Sequence, residues 1–184
     1  MILHKCDVKF DKGVKLNLQY NRSAFSTIYI NNIEGHDNDL FAKQILAHGD
    51  KQGKKTNVKA DMTEWRVDEP EWYNLCKDVI DNYVPLLTGE QNVTWKITSL
   101  WGANYRKGDH TVYHTHMPCS LSFCYYPKAD EGSAPIVFSE LDYEIYPEEG
   151  HLIIFPSHLK HGVPSQVGEG ERMVISGNII ATYF

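Results

Sequence analysis

From Val93 onward the chain divides into short strand-like segments, at 93–101, 103–106, 110–116, 119–126, 135–139, 143–146, 151–155, 161–167 and 172–183, punctuated by Gly, Pro, Asp and Asn. Many short strands at near-regular spacing read as an all-β arrangement. They close into a sandwich or barrel, a group that includes the eight-stranded jelly rolls. No internal repeat or low-complexity tract interrupts the pattern. A mainly β fold is therefore expected.

The preceding 92 residues are mixed. Residues 14–20 alternate apolar and polar, the period of a half-buried strand, and Phe25 to Ile30 is rich in β-branched and aromatic residues. Leu40, Phe41, Ile45 and Leu46 form a helical stripe, with Asn38 or Asp39 as N-cap and Gly49 as stop. Residues 49–59 read as loop. A second helix is expected from Asp68, with Glu71 completing a capping box, Val67 and Trp72 forming a hydrophobic staple, and Pro85 and Gly89 ending it. Its stripe of Trp72, Leu75, Cys76, Val79, Ile80, Tyr83 and Val84 reads as a packing face. The expected organisation is an N-terminal α/β elaboration (1–92) packed on a β core (93–184), together one structural domain.

Composition excludes several classes. A 42% hydrophobic and 12% aromatic content is enough for a sizeable core. Net charge is −6 and the only locally basic stretch, Lys51 to Lys59, is Gly- and Asn-rich, so no nucleic-acid surface is indicated. Cys6, Cys76, Cys119 and Cys124 include no C-x-x-C pair, against a structural zinc site or a disulfide framework. Met1 to Phe10 is too polar for a signal peptide, and runs such as Leu152 to Phe155 are too short to span a bilayer. A soluble protein in a reducing, cytoplasmic setting is the expectation, with no membrane partner.

Chemistry concentrates between residues 105 and 178. Residues two apart on a strand face the same side, so His110, Val112, His114 and His116 are expected on one face. Two imidazoles at i and i+2 can share a metal, and neutral imidazole suits Fe, Zn, Cu and Ni. A third ligand must come from another strand. His161 is the best candidate, following the apolar strand Leu152 to Phe155 and a Pro-Ser turn. Arg172 lies eleven residues further on. His110 reads as a channel or supporting residue, and His151 and His158 as loop or surface histidines.

These stretches resemble the double-stranded β-helix of the cupin superfamily. Gly108, five residues, then His114-Thr115-His116 matches the opening of its first motif, without the glutamate expected a few residues later. Gly150, five residues, Pro156 and then His161 follows the second, with His158 where glycine is usual and Ser165 where asparagine is. Within the superfamily the spacing is similar to the 2-oxoglutarate/Fe(II)-dependent oxygenases, in their prolyl-hydroxylase-like and phage or bacterial branches. The matching residues are Tyr105, His114 and His116, Tyr125-Tyr126, the Gly150 to His161 segment, and Arg172 to Asn178. About 80 residues are covered, and none before residue 90.

The resemblance implies a jelly-roll dioxygenase that couples oxidation of a small-molecule or amino-acid side-chain substrate to decarboxylation of 2-oxoglutarate to succinate. It makes His114 and His161 ligands to Fe(II) and pairs Arg172 with the distal carboxylate of 2-oxoglutarate, a task suited to a planar, always-charged fork. Tyr105 and Tyr126 stand where family members place phenols toward the co-substrate. Ser176 shares the strand face of Arg172, and Asn178 continues that face toward the substrate. The departure is at position 116, where the common facial triad has a carboxylate. Three outcomes are open there: His116 ligates in a three-His site, Glu140 or Asp142 supplies a carboxylate, or the metal affinity and chemistry are changed. His116 as ligand is favoured. The alternatives to a 2-oxoglutarate enzyme are a three-His cupin dioxygenase that uses no keto acid and a non-catalytic metal- or ligand-binding module.

Overall fold

The computed structural model describes residues 4–5, 14–20, 24–49, 56–88 and 93–183. The strands before the core are β1 (His4–Lys5), β2 (Val14–Tyr20), β3 (Ala24–Asn32), β4 (Val58–Lys59) and β5 (Asp61–Met62). Those of the core are β6 (Val93–Tyr105), β7 (His110–His114), β8 (Leu121–Ala129), β9 (Ile136–Phe138), β10 (Tyr143–Ile145), β11 (His151–Pro156), β12 (His161–Val163) and β13 (Arg172–Tyr183). The helices are α1 (Asn38–His48), α2 (Pro70–Asp78) and α3 (Val84–Thr88).

Two sheets result. The major sheet has the order β2-β3-β11-β8-β13-β6-β5 and the minor sheet β1-β10-β9-β12-β7-β4. Pairing is antiparallel except where β1 runs parallel to β10. Strands from before residue 93 extend both sheets at their edges.

The major sheet is buried on both faces, and its strands sort side chains by parity. In β8, Leu121, Phe123 and Tyr125 point outward to a cluster containing Phe41, Ile45, Trp72 and Leu75 of the helices. Its alternate residues Cys124 and Tyr126 point inward, toward Phe138, Ile136 and Val163 of the minor sheet. The same division holds in β11, where Leu152 and Ile154 face the helices and Ile153 and Phe155 face inward. It holds again in β13, with Met173 and Ile175 outward and Val174 inward. An antiparallel sheet covered on one face only would alternate apolar with polar; two-sided burial gives the near-continuous apolar runs seen here.

Local differences from the sequence reading have physical causes. Segments 93–101 and 103–106 are one strand, because Gly102 does not break it. A Cβ there would lie 2.7 Å from both Ile45 Cγ1 and Trp72 Cη2, so the glycine is where α1 and α2 approach the sheet backbone. Helix α1 is capped by Asp37, whose carboxylate accepts from Leu40 N, rather than by Asn38 or Asp39. In α2, Pro70 takes the first helical position and holds Glu69 extended (φ −122°, ψ 130°), so Glu69 is the N-cap and the Asp68 capping box does not form. Pro85 does not end the helix. It has no N–H to donate, and the preceding turn, Val79–Tyr83, widens so that Val84 N–H reaches the carbonyl of Val79. The expected loop 49–59 contains β4 at its end.

Replacing Gly102 by alanine forces a methyl into the Ile45–Trp72 contact. Denaturant unfolding should show a loss of about 1–3 kcal/mol; an unchanged midpoint and slope would mean that the helices do not rest on this strand.

Candidate metal and anion site

Between the sheets, the inward-facing residues line a pocket of about 440 Å³, counting the space open to solvent. Its walls include Trp101, Tyr105, Thr111, His114, His116, Ser122, Cys124, Phe155, His161, Arg172 and Ser176.

The three histidines are brought together by different devices. His161 pairs directly across from His114 on adjacent antiparallel strands, which sets their rings 4.6 Å apart between centroids. His116 lies beyond the end of β7. Its backbone N–H donates to Ser157 O at 2.8 Å, so the turn that follows Phe155-Pro156 anchors it. Its ring sits 4.7 Å from that of His114 and 5.0 Å from that of His161. Ligand atoms of the three residues all fall within 4.8 Å of one another. Among the described residues this is the only such grouping, and it includes neither Glu140 nor Asp142.

The chain also sets which nitrogen is free. His114 Nδ1 lies 2.7 Å from Val112 O, and His161 Nδ1 lies 2.8 Å from Leu159 O. A carbonyl can only accept, so each Nδ1 carries the proton and each Nε2 presents its lone pair, the orientation that metal-binding histidines adopt. Burial, followed by the neighbouring histidine His114, pushes His161 down to about 3 and His116 down to about 4. Burial also lowers His114. All three are neutral donors at physiological pH. Phe155 packs edge-on against His161 at 4.7 Å and Phe138 lies 6.0 Å away, making an apolar wall behind the most buried ring.

The expected single face of His110, Val112, His114 and His116 is not formed. The register with β12 slips between His161 and Val163, whose partners are His114 and Thr111. Two residue steps on β12 therefore span three on β7, a bulge that turns Thr111 and His114 toward the pocket. His110 and Val112 are exposed, and His110 Nδ1 approaches Gly108 O at 3.4 Å. His158 is exposed, whereas His151 is buried and accepts from Glu148 N through Nδ1.

Arg172 closes the inner end. It is 1% exposed, with Nε donating to Ala134 O at 3.0 Å and Nη2 to Tyr126 Oη at 3.2 Å. Its guanidinium lies 4.6 Å from the Tyr105 ring centroid and 5.0 Å from that of Tyr126. Nη1 is buried without a partner. A buried, unpaired guanidinium N–H is costly unless something accepts from it. The carbonyl of Ala134 is itself held in place: Ala134 N donates to the buried Gln166 Oε1 at 2.7 Å.

The remaining predicted residues divide. Tyr105 and Ser176 line the pocket; the Tyr105 hydroxyl lies 2.6 Å from that of Thr111, and Ser176 Oγ lies 3.6 Å from Cys124 Sγ. Tyr126 stands behind Arg172. Asn178 is buried one layer back, accepting from Ser122 Oγ and donating to Ser99 Oγ, both at 2.9 Å. The sequence reading missed Thr111, Ser122, Cys124, Trp101 and Gln166. For Ser122 and Cys124 the signal was present: small polar residues two apart, in phase with Tyr126 on an otherwise apolar strand.

No protein-family model and no curated protein sequence matches the chain. Solved structures do. The collagen prolyl hydroxylase of Paramecium Bursaria Chlorella virus-1, solved with 2-oxoglutarate, superposes with a TM-score of 0.60 at 15% identity, covering 82% of this chain and 94% of its own. A prolyl-4-hydroxylase from Pseudomonas putida gives 0.60 at 14%, covering 83% and 91%. HygX from Streptomyces hygroscopicus, with nickel and 2-oxoglutarate bound, gives 0.62 at 9%, covering 85% and 83%. At these identities the likeness is one of fold. The chain has the double-stranded β-helix fold of the 2-oxoglutarate/Fe(II) oxygenases. No described helix is long and apolar enough to cross a membrane.

The geometry predicts one Co(II) or Ni(II) per chain in calorimetric titration. His114→Ala, His116→Ala and His161→Ala should each weaken binding at least about tenfold. Full affinity in the His116 variant would remove that residue from the ligand set.

Proposed function

We propose that this protein is a 2-oxoglutarate-dependent oxygenase whose divalent metal, Fe(II), is held by His114, His116 and His161. The observation that carries the reading is the unpartnered Nη1 of Arg172, buried in the same pocket as the histidine triad. A metal centre alone has no use for a buried cation beside it. A dicarboxylate that chelates the metal at one end and needs a counter-charge at the other accounts for both.

The residues fit that co-substrate. Tyr126 and Ala134 take up Nη2 and Nε of the guanidinium, which leaves Nη1 to donate to an incoming carboxylate. Burial raises the phenols of Tyr105 and Tyr126 above their ordinary range, so both stay neutral beside it. Ser176 offers a hydroxyl on the same strand face as Arg172. Phe155, Ile136, Val163 and Val174 make the remaining wall apolar, which excludes water from the bound keto acid and strengthens its pairing with Arg172. When bound, Fe(II) activates O2 and couples decarboxylation of the keto acid to oxidation of the substrate. The chain's part is to orient the two carboxyl ends and to leave the half-buried side at His114 and His116, away from the buried His161, for the substrate. The structural neighbours, which include proteins solved with 2-oxoglutarate, with nickel and with hygromycin B, support this class of chemistry and leave the substrate to be a small molecule or an amino-acid side chain.

One observation favours a second reading. A triad of three imidazoles, with no carboxylate among the described lining residues, also suits a dioxygenase that uses no keto acid. The two readings differ in one experiment. Under the first, anaerobic protein with Fe(II) develops a weak visible charge-transfer band on addition of 2-oxoglutarate, and admission of O2 yields succinate. Arg172→Ala should then weaken 2-oxoglutarate binding by about 10²-fold, as expected for losing a buried charge-assisted pair. Absence of the band, with 2-oxoglutarate binding indifferent to Arg172→Ala, would leave the second.

A further inference from the structure

This inference rests on the functional reading above and concerns the net charge of the loaded site. Arg172 carries +1 and a divalent ion +2, while 2-oxoglutarate carries −2. The imidazoles are neutral, and no described residue of the pocket lining is an Asp or Glu. Glu140 is exposed and Asp142 half-buried on the turn between β9 and β10, and neither lines the pocket. A triad with one carboxylate would bring the sum to zero. Here the loaded pocket retains +1 against the apolar surfaces of Trp101, Ile136, Phe155 and Val163. An unpaired charge in such surroundings draws in a counter-charge, because low polarity strengthens the attraction and few dipoles compete for it.

The place for that counter-charge is defined. His161 is 5% exposed and sealed by Phe138 and Phe155, and Arg172 occupies the inner end. The missing carboxylate belongs at His116, which with His114 forms the half-buried side of the triad. There the ring faces Trp101 at 5.8 Å, and Trp101 is covered in turn by Trp65, which is 47% exposed. We infer that the pocket, once it holds metal and keto acid, binds one further monoanion of the carboxylate class beside His116. The substrate's own carboxylate and a small free anion are the two sources of that chemistry.

The test uses the full-length chain loaded with Co(II) and saturated with 2-oxoglutarate, titrated with acetate and with azide by calorimetry and visible absorption. One anion should bind per chain without displacing 2-oxoglutarate, and the affinity should fall at least tenfold in His116→Asp or in His116→Glu. A shift of the cobalt band on binding means a free anion on the metal; heat without a shift means an anion held beside it, as a substrate carboxylate is. No saturable binding to the loaded protein, or unchanged affinity in both variants, overturns the inference. Failure of Co(II) or 2-oxoglutarate to bind at all overturns the functional reading itself, and this inference with it.

Discussion

Two-sided burial of the major sheet is the constraint on which the rest depends. Every inward position of β6, β8, β11 and β13 is in phase with an outward one that must satisfy the helices. A one-residue slip in β13 would send Arg172 into the α1–α2 interface and Met173 into the pocket. In β8, β11 and β13 the outward set is apolar over Leu121, Phe123, Tyr125, Leu152, Ile154, Met173 and Ile175. That uniformity protects the register. It frees the inward set to be chemically mixed, and Ser122, Cys124, Arg172 and Ser176 occupy it. The helices contribute no pocket residue, yet by burying the outer face they fix which residues the pocket receives.

Arg172 shows how such a position is maintained. A guanidinium buried in a protein interior is tolerated when its donors are met and its charge is spread over polarisable neighbours. Ala134 and Tyr126 meet two donors, and two tyrosine rings flank the cation. The Ala134 carbonyl depends on Gln166, whose own backbone bonds Gly108 and Asp109. Loops 130–134, 164–171 and 106–109 are thus one hydrogen-bonded plug at the end of the barrel. What they leave unsatisfied is Nη1 of a residue that lines the pocket, an orphaned donor of the kind a folded protein rarely keeps.

The sequence made the strands, the helix stripes and the His114–His161–Arg172 set legible, because periodicity and residue type carry that information directly. Two kinds of feature were not legible. One is the β7 bulge: period-two reasoning put His110 in line with His114, but the extra residue exchanges faces, so Thr111 lines the pocket and His110 does not. A bulge is decided by the partner strand, and β12 is too short and too far away in sequence to announce it. The other is competition between local signals. Asp68 and Glu71 satisfied the spacing of a capping box, yet Pro70 set the start of α2 because its fixed φ acts on the backbone before any side-chain bond can form. Gly102 looked like a break and is a contact, and only the placement of Trp72 and Ile45 distinguishes the two.

The three histidines are unequal in how they are held, and that inequality bears on what the site can do. His114 and His161 are cross-strand partners with Nδ1 tied to backbone carbonyls, so neither ring can turn without breaking a hydrogen bond, a buried one in His161. His116 is fixed through its backbone to the Ser157 turn, and its ring rests on Trp101 and the other two imidazoles. Its orientation therefore depends on packing with an aromatic pair that reaches the surface at Trp65. Trp65 packs on Trp101 and Trp101 on His116, so the chain of ring contacts runs from the surface to the least constrained imidazole. The position that departs from the usual triad is thus also the one whose ring is held by packing alone, where the other two are tied to carbonyls.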